Sequence, residues 1–176
     1  MTQLENTYLL LALGARAQGH PTQYQQLSQH ALALTAWDDV LVQAETHVLT
    51  SLLYTHLQAA EISIPTAIKK QLQARAMQHS HANRVRGRVL AEILDAFQVA
   101  GIPILVLKGA ALAYLVYPEP GLRPMRDVDV LVSPAQVRQA QTLLGELGFN
   151  APRRATLCPP NICSPPSVGV RGCKSP

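Results

Sequence analysis

Apolar residues recur every three or four positions over the first hundred residues, the spacing of helices with one greasy face. Thr35, ahead of Trp37, Asp38 and Asp39, reads as an N-cap with acids in the first turn, where they oppose the helix dipole. From there Trp37, Leu41, Ala44, Val48 and Leu52 form one stripe. Pro65 opens a second long helix, from Thr66 to about Ala100. Its latter half sets Val85, Val89, Ile93 and Phe97 four apart, with Leu90 and Leu94 alongside. Gly101 ends it as a C′ residue.

The period then changes. Ile102–Leu107 is a short continuous apolar run, which predicts a strand buried on both faces. Gly109–Tyr117, rich in Ala and Leu, predicts a short helix, and Pro118-Glu119-Pro120-Gly121 must be a loop. Asp127–Val132 alternates acid and Val before Leu-Val, the pattern of a strand with one apolar face. Ser133-Pro134 reads as an N-cap and first-turn proline, opening a helix that runs to about Leu147 and stops at Gly148. Beyond Phe149 neither period survives.

Composition changes this picture in two places. Hydrophobic residues are 48% and charged residues 15% of 176, which fits a packed globular chain, and aromatics at 5% argue against base stacking as a main activity. The net charge of +4 is not spread over the chain. Residues 1–150 carry eleven basic and eleven acidic side chains, so the excess is Arg153, Arg154, Arg171 and Lys174. The same final stretch holds all three cysteines (Cys158, Cys163, Cys173) and no acid. Their spacing, with no histidine after His81, does not match a zinc module. An odd cysteine count and an N-terminus without a basic leader predict free thiols in the cytoplasm. The most membrane-like stretch, Val99–Tyr117, is broken by Gly101, Pro103, Lys108 and Gly109, so no membrane association is expected.

Asp127 and Asp129 carry the sharpest chemical signal. Residues i and i+2 of a strand point to one side, so both carboxylates face one region while Val128 and Val130 face the core. Paired oxygens repel unless a cation neutralises them, and Mg²⁺ is commonly held by one or two carboxylates plus substrate phosphates. The plainer alternative is the solvent face of an edge strand. Around the acids stand Lys108-Gly109, at the join of a strand and a helix where backbone N–H groups can approach a phosphate, and Arg123 and Arg126. Each also has a plain reading, a solvated lysine or a local salt bridge to Asp127. His79 and His81, two apart on a helix, diverge, and Arg84, Arg86 and Arg88 read as a solvated face with an acceptor-binding face as the alternative.

Together, the run from Leu105 to Val132 (LVLKGAALAYLVYPEPGLRPMRDVDVLV) resembles the signature of the uncharacterised bacterial nucleotidyltransferase family, within the DNA polymerase β-like superfamily. The pattern is an apolar strand, Lys-Gly-Ala, a Tyr-Pro…Gly-x-Arg-Pro loop, and Asp-apolar-Asp-apolar-Leu-Val. The helical lead-in with Trp37 and His47 and the closing Leu-Gly-Phe are similar too, so the likeness spans about residues 36–149. It implies Asp127 and Asp129 as catalytic Mg²⁺ ligands and Lys108, Gly109 and Arg123 at the nucleotide. It also implies transfer of a nucleoside monophosphate from an NTP to an acceptor, whether small molecule, protein or RNA. The wider superfamily has Gly-Ser or Gly-Gly where this chain has Gly109-Ala110. That removes a hydroxyl contact and lengthens the gap to Asp127.

The expected architecture is α+β. A helical region (1–100) packs on a partial nucleotidyltransferase-type mixed sheet (101–150), followed by an irregular, removable tail (151–176). Two strands cannot form a stable sheet without partners. The only acid after Asp129 is Glu146, on a helix, whereas two-metal transfer generally uses a third carboxylate. The chain is therefore expected to be a truncated, inactive member with an out-of-frame ending. The alternative is a non-catalytic helical interaction module with a vestigial Asp pair.

Overall fold

The computed structural model describes residues 2–150 and the strand at 168–170. Its order is α1 (Gln3–Gly14), α2 (Pro21–Leu32), α3 (Trp37–Thr46), α4 (Thr50–Ala59), α5 (Thr66–Val99), β1 (Ile104–Leu107), α6 (Lys108–Leu115), β2 (Val128–Val132), α7 (Val137–Glu146) and β3 (Val168–Val170). The α+β class stands. No helix among the described residues is long and apolar enough to cross a membrane. The chain divides into two units, Met1–Arg84 with Ala113–Pro124, and Val85–Leu112 with Met125–Pro176.

The first unit is helical. Thr2 and Glu5 close a reciprocal cap on α1, the Thr2 hydroxyl accepting from the Glu5 amide and the Glu5 carboxylate from the Thr2 amide. At α2 the same device is built from His20, whose ring accepts from the Thr22 amide, and Gln23, whose side chain accepts from the His20 amide. The core joins Leu10, Leu11 and Leu27 to Trp37, Val40, Ala44, Leu53, Leu57 and Leu72. Thr35 is not the cap of α3. That position falls to Ala36, which makes no side-chain cap, while the Thr35 amide donates to Gln3 Oε1.

The stripe from Trp37 to Leu52 is broken in two. Val48 adopts φ +58°, its amide donates to the Glu45 carbonyl, and the Leu49 amide donates to the Ala44 carbonyl. Glu61 ends α4 identically at φ +52°, with its amide on Gln58 and the Ile62 amide on Leu57. These left-handed terminators favour glycine, which lacks the Cβ that crowds the carbonyl oxygen. Glycine does occupy the matching positions after α5 (Gly101, φ +67°) and α7 (Gly148, φ +88°), as the sequence predicts.

The second unit packs the latter half of α5 and α7 around Ile93, Phe97, Ile102, Ala140 and Leu144. Its sheet runs β1-β2-β3 with both pairings antiparallel; a parallel ladder, as a mixed sheet would have, is not among the described residues. Ile104 opposes Val132 and Leu107 opposes Asp129. Strand β1 is shorter than the apolar run and is not buried on both faces. Leu105 is 58% exposed and pairs with half-covered Leu131. Both line an open groove of about 720 Å³ beside α7. Pro103 cannot donate to a ladder, which trims the strand at its start. Ser133 does not cap α7. A 3-10 turn at Pro134–Gln136 comes first, with the Ser133 hydroxyl on Gln136 Oε1.

A third strand, Val168–Val170, pairs with β2 from Val128 to Val130. Three residues are too few for a period to show in the sequence. The tail is thus not irregular at Val168–Val170, while the expectations for the rest of it, its cysteines included, lie outside the described residues.

Two substitutions isolate the helix-end strain. Glu61 is exposed, so Glu61→Gly should raise stability by about 0.5–1 kcal/mol. A Cβ on Gly101 would touch nothing within 4 Å, so Gly101→Ala should cost about 1 kcal/mol through backbone strain alone. Thermal unfolding of both variants checks the pair of opposite signs.

Candidate active site

The site grows out of the β1–β2 register. Leu107, the last residue of β1, lies opposite Asp129, and Val128 and Val130 on either side of that aspartate are buried. Lys108 follows at φ +50°, a left-handed turn that ends the strand and starts α6 at once. Its Nζ stands 3.3 Å from Asp129 Oδ2. The two partners differ sharply in surroundings, the lysine side chain being 68% exposed and the aspartate side chain 11%. The ammonium is the ion-pair partner of this covered carboxylate among the described residues.

Gly109 occupies the first turn of α6. A Cβ there would meet nothing nearer than Met125 Cγ at 3.9 Å, so packing does not demand a glycine. The residue itself is half-buried. Asp127 falls one residue before β2 and is exposed, so the two acids flank Val128 in unlike environments rather than as an equal pair. The period-2 pattern of the sequence does not reveal that asymmetry, because it assigns both acids to the strand. No ion pair joins Asp127 to Arg126 among the described residues. Nor does any group of three His, Cys, Asp or Glu that could hold a metal ion occur among them.

Arg123 belongs to the first unit, and there the structure adds a residue that the pattern missed. Asn83, buried in the middle of α5, donates from Nδ2 to the Pro120 carbonyl at 2.6 Å and the Arg123 carbonyl at 2.7 Å. Gly121 between them lies so close to α5 that a Cβ would meet Ser80 Oγ at 2.9 Å and Ser80 Cα at 3.3 Å. The Gly-Leu-Arg-Pro loop is thereby tied to one helical turn. The signal was present but faint: Asn disfavours helix interiors, and this one interrupts a row of arginines and histidines. Of the histidines, His79 Nδ1 meets buried Ser51 Oγ at 3.2 Å, and His56 Nε2 donates to the Arg16 carbonyl at 2.7 Å. Both are held by the helical core.

Residues 33–161 match the family model described as uncharacterised nucleotidyltransferase. The chain belongs to that family. Comparison with curated proteins and with solved structures gave no match. The match takes in Lys108, Gly109, Arg123, Asp127 and Asp129 and runs past Asn150, where the composition changes. Its function is accordingly nucleotidyltransferase-like, with an NTP as the implied substrate.

The Asn83 clamp can be tested by charge as well as by deletion. Asn83→Ala should lower stability by about 1–2 kcal/mol, since two part-buried hydrogen bonds from Asn83 are lost. Asn83→Asp, nearly the same shape, should be worse because it turns a carboxylate on those oxygens. Denaturant midpoints that rank Asp above Ala would show that shape, not hydrogen bonding, holds the loop.

Proposed function

We propose that this nucleotidyltransferase-family chain binds an NTP with Mg²⁺ at Asp127 and Asp129, in the cytoplasm, as the binding half of nucleoside monophosphate transfer. The observation that carries the reading is the covered Asp129 carboxylate in β2, opposite the end of β1 and paired with the exposed lysine that precedes Gly109. The donor set fits the ion. Hard carboxylate oxygens suit Mg²⁺, which keeps water and phosphate oxygens as its remaining ligands. When bound, Mg²⁺ supplies Lewis-acid stabilisation of the charge that builds on the phosphates.

The chain's own residues account for binding and orientation. Gly109, in the first turn of α6, is the place where backbone N–H groups would meet a phosphate. Lys108 offers a flexible point charge within reach of the same space. Arg123 is assigned to the nucleotide from its place in the motif. In the transfer itself an acceptor hydroxyl oxygen bonds to the α-phosphorus as the α–β bridging P–O bond breaks. Pyrophosphate leaves with that electron pair, and the hydroxyl proton goes to water. The acceptor is left open among small molecules, proteins and RNA.

We expect nucleotide binding without turnover by this chain. Two-metal transfer uses a third carboxylate, and none joins Asp127 and Asp129 among the described residues. The same observation favours a second reading, a non-catalytic interaction module that keeps the Asp pair without using it.

Thermal unfolding separates the two. MgATP should raise the midpoint, by about 2–3 kcal/mol of stability at a hundredfold excess over Kd, and EDTA should abolish the rise. No shift at millimolar MgATP would favour the interaction module. The double variant Asp127→Asn/Asp129→Asn should lose the MgATP shift yet stay within about 1 kcal/mol of the parent, because the lost ion pair has an exposed lysine and like-charge repulsion is relieved. Outright unfolding of that variant would assign the acids to structure.

A further inference from the structure

We propose that Lys108 is a built-in stand-in for the metal: it neutralises Asp129 before the ion binds, and on binding it exchanges Asp129 for a triphosphate oxygen. The inference rests on the Mg²⁺–NTP reading above and specifies how the site is kept before the ion arrives.

Asp129 lies in the middle strand of the described sheet with an 11% exposed side chain, so its charge needs compensation whether or not a metal is present. Lys108 supplies that compensation from an exposed position, so it can leave without breaking any buried packing. The backbone fixes where the ammonium starts. Leu107 opposite Asp129 and φ +50° at Lys108 put the lysine's Cα at the rim of the strand pair, next to Gly109 at the start of α6. A lysine in a left-handed conformation is strained where glycine would not be, and the ion pair is the interaction that the position gains from having a side chain.

Ammonium and divalent cation cannot both sit on Asp129 Oδ2 without repelling each other. A cation arriving with an NTP frees the lysine just where phosphate oxygens become available, so one exchange satisfies both groups. Metal and nucleotide binding are then coupled through one side chain. A nucleotide without its metal draws the lysine away and leaves Asp129 unpaired.

Two variants test this on the full chain, with Mn²⁺ as the spectroscopic probe. Lys108→Met keeps the stem and removes the charge; Lys108→Gly removes both and suits the left-handed backbone, so it guards against a folding failure. Both should bind Mn²⁺ roughly tenfold more tightly than the parent, read by the loss of free-ion electron paramagnetic resonance. Both should show a larger Mn²⁺-induced rise in unfolding midpoint than the parent. With Mn²⁺ saturating, both should bind ATP several-fold more weakly. Equal Mn²⁺ affinity in parent and variants would overturn the exchange while leaving the metal site standing. Unchanged ATP affinity would overturn the lysine's second role. No Mn²⁺ binding to any of the three would overturn both this inference and the functional reading beneath it.

Discussion

A carboxylate held in the middle strand of a small sheet constrains the whole second unit. Asp129 pairs through its backbone with Leu107 on one side and Gly169 on the other, so it cannot shift outward without loosening both ladders. Val128 and Val130 beside it are buried, which fixes the strand's orientation, since a slip by one residue would turn both valines out. The charge must therefore be met where it stands. The chain meets it with a lysine at the first position where β1 can no longer continue, and α6 begins at that same residue. Local backbone, ion pair and helix start are one arrangement.

Much of this was legible in the sequence, and the reasons are specific. The Asp-Val-Asp-Val alternation located β2, and the continuous apolar run located β1, because strand periodicity reports burial. Gly101 and Gly148 marked two helix ends, since glycine tolerates the left-handed residue that those ends require. Val48 and Glu61 perform the same task without glycine, and no local rule points to a β-branched or a charged residue there. The helix break between α3 and α4 was invisible for that reason.

The remaining gaps came from contacts that are distant in sequence. Asn83 and its carbonyl partners are 37 and 40 residues apart, so the clamp on the Arg123 loop could not be inferred from spacing. The unequal exposure of Asp127 and Asp129 depends on where pairing with β1 starts. The family match and the motif agree on which residues to consider, while the geometry separates them. Asp129 is the covered, paired acid and Asp127 the free-standing one.

Strand β1 carries one more consequence. It is the outer strand of the described sheet, its four residues hold no charge, and Leu105 is largely exposed along the open groove beside α7. Outer strands of this kind are templates for another strand, and charged residues are the usual deterrent. Here the deterrent is brevity: Pro103 closes one end and the left-handed turn at Lys108 closes the other. Lengthening β1 by relaxing either end would enlarge a sticky edge. The residue that guards the aspartate thus also limits how far the sheet can recruit a neighbour.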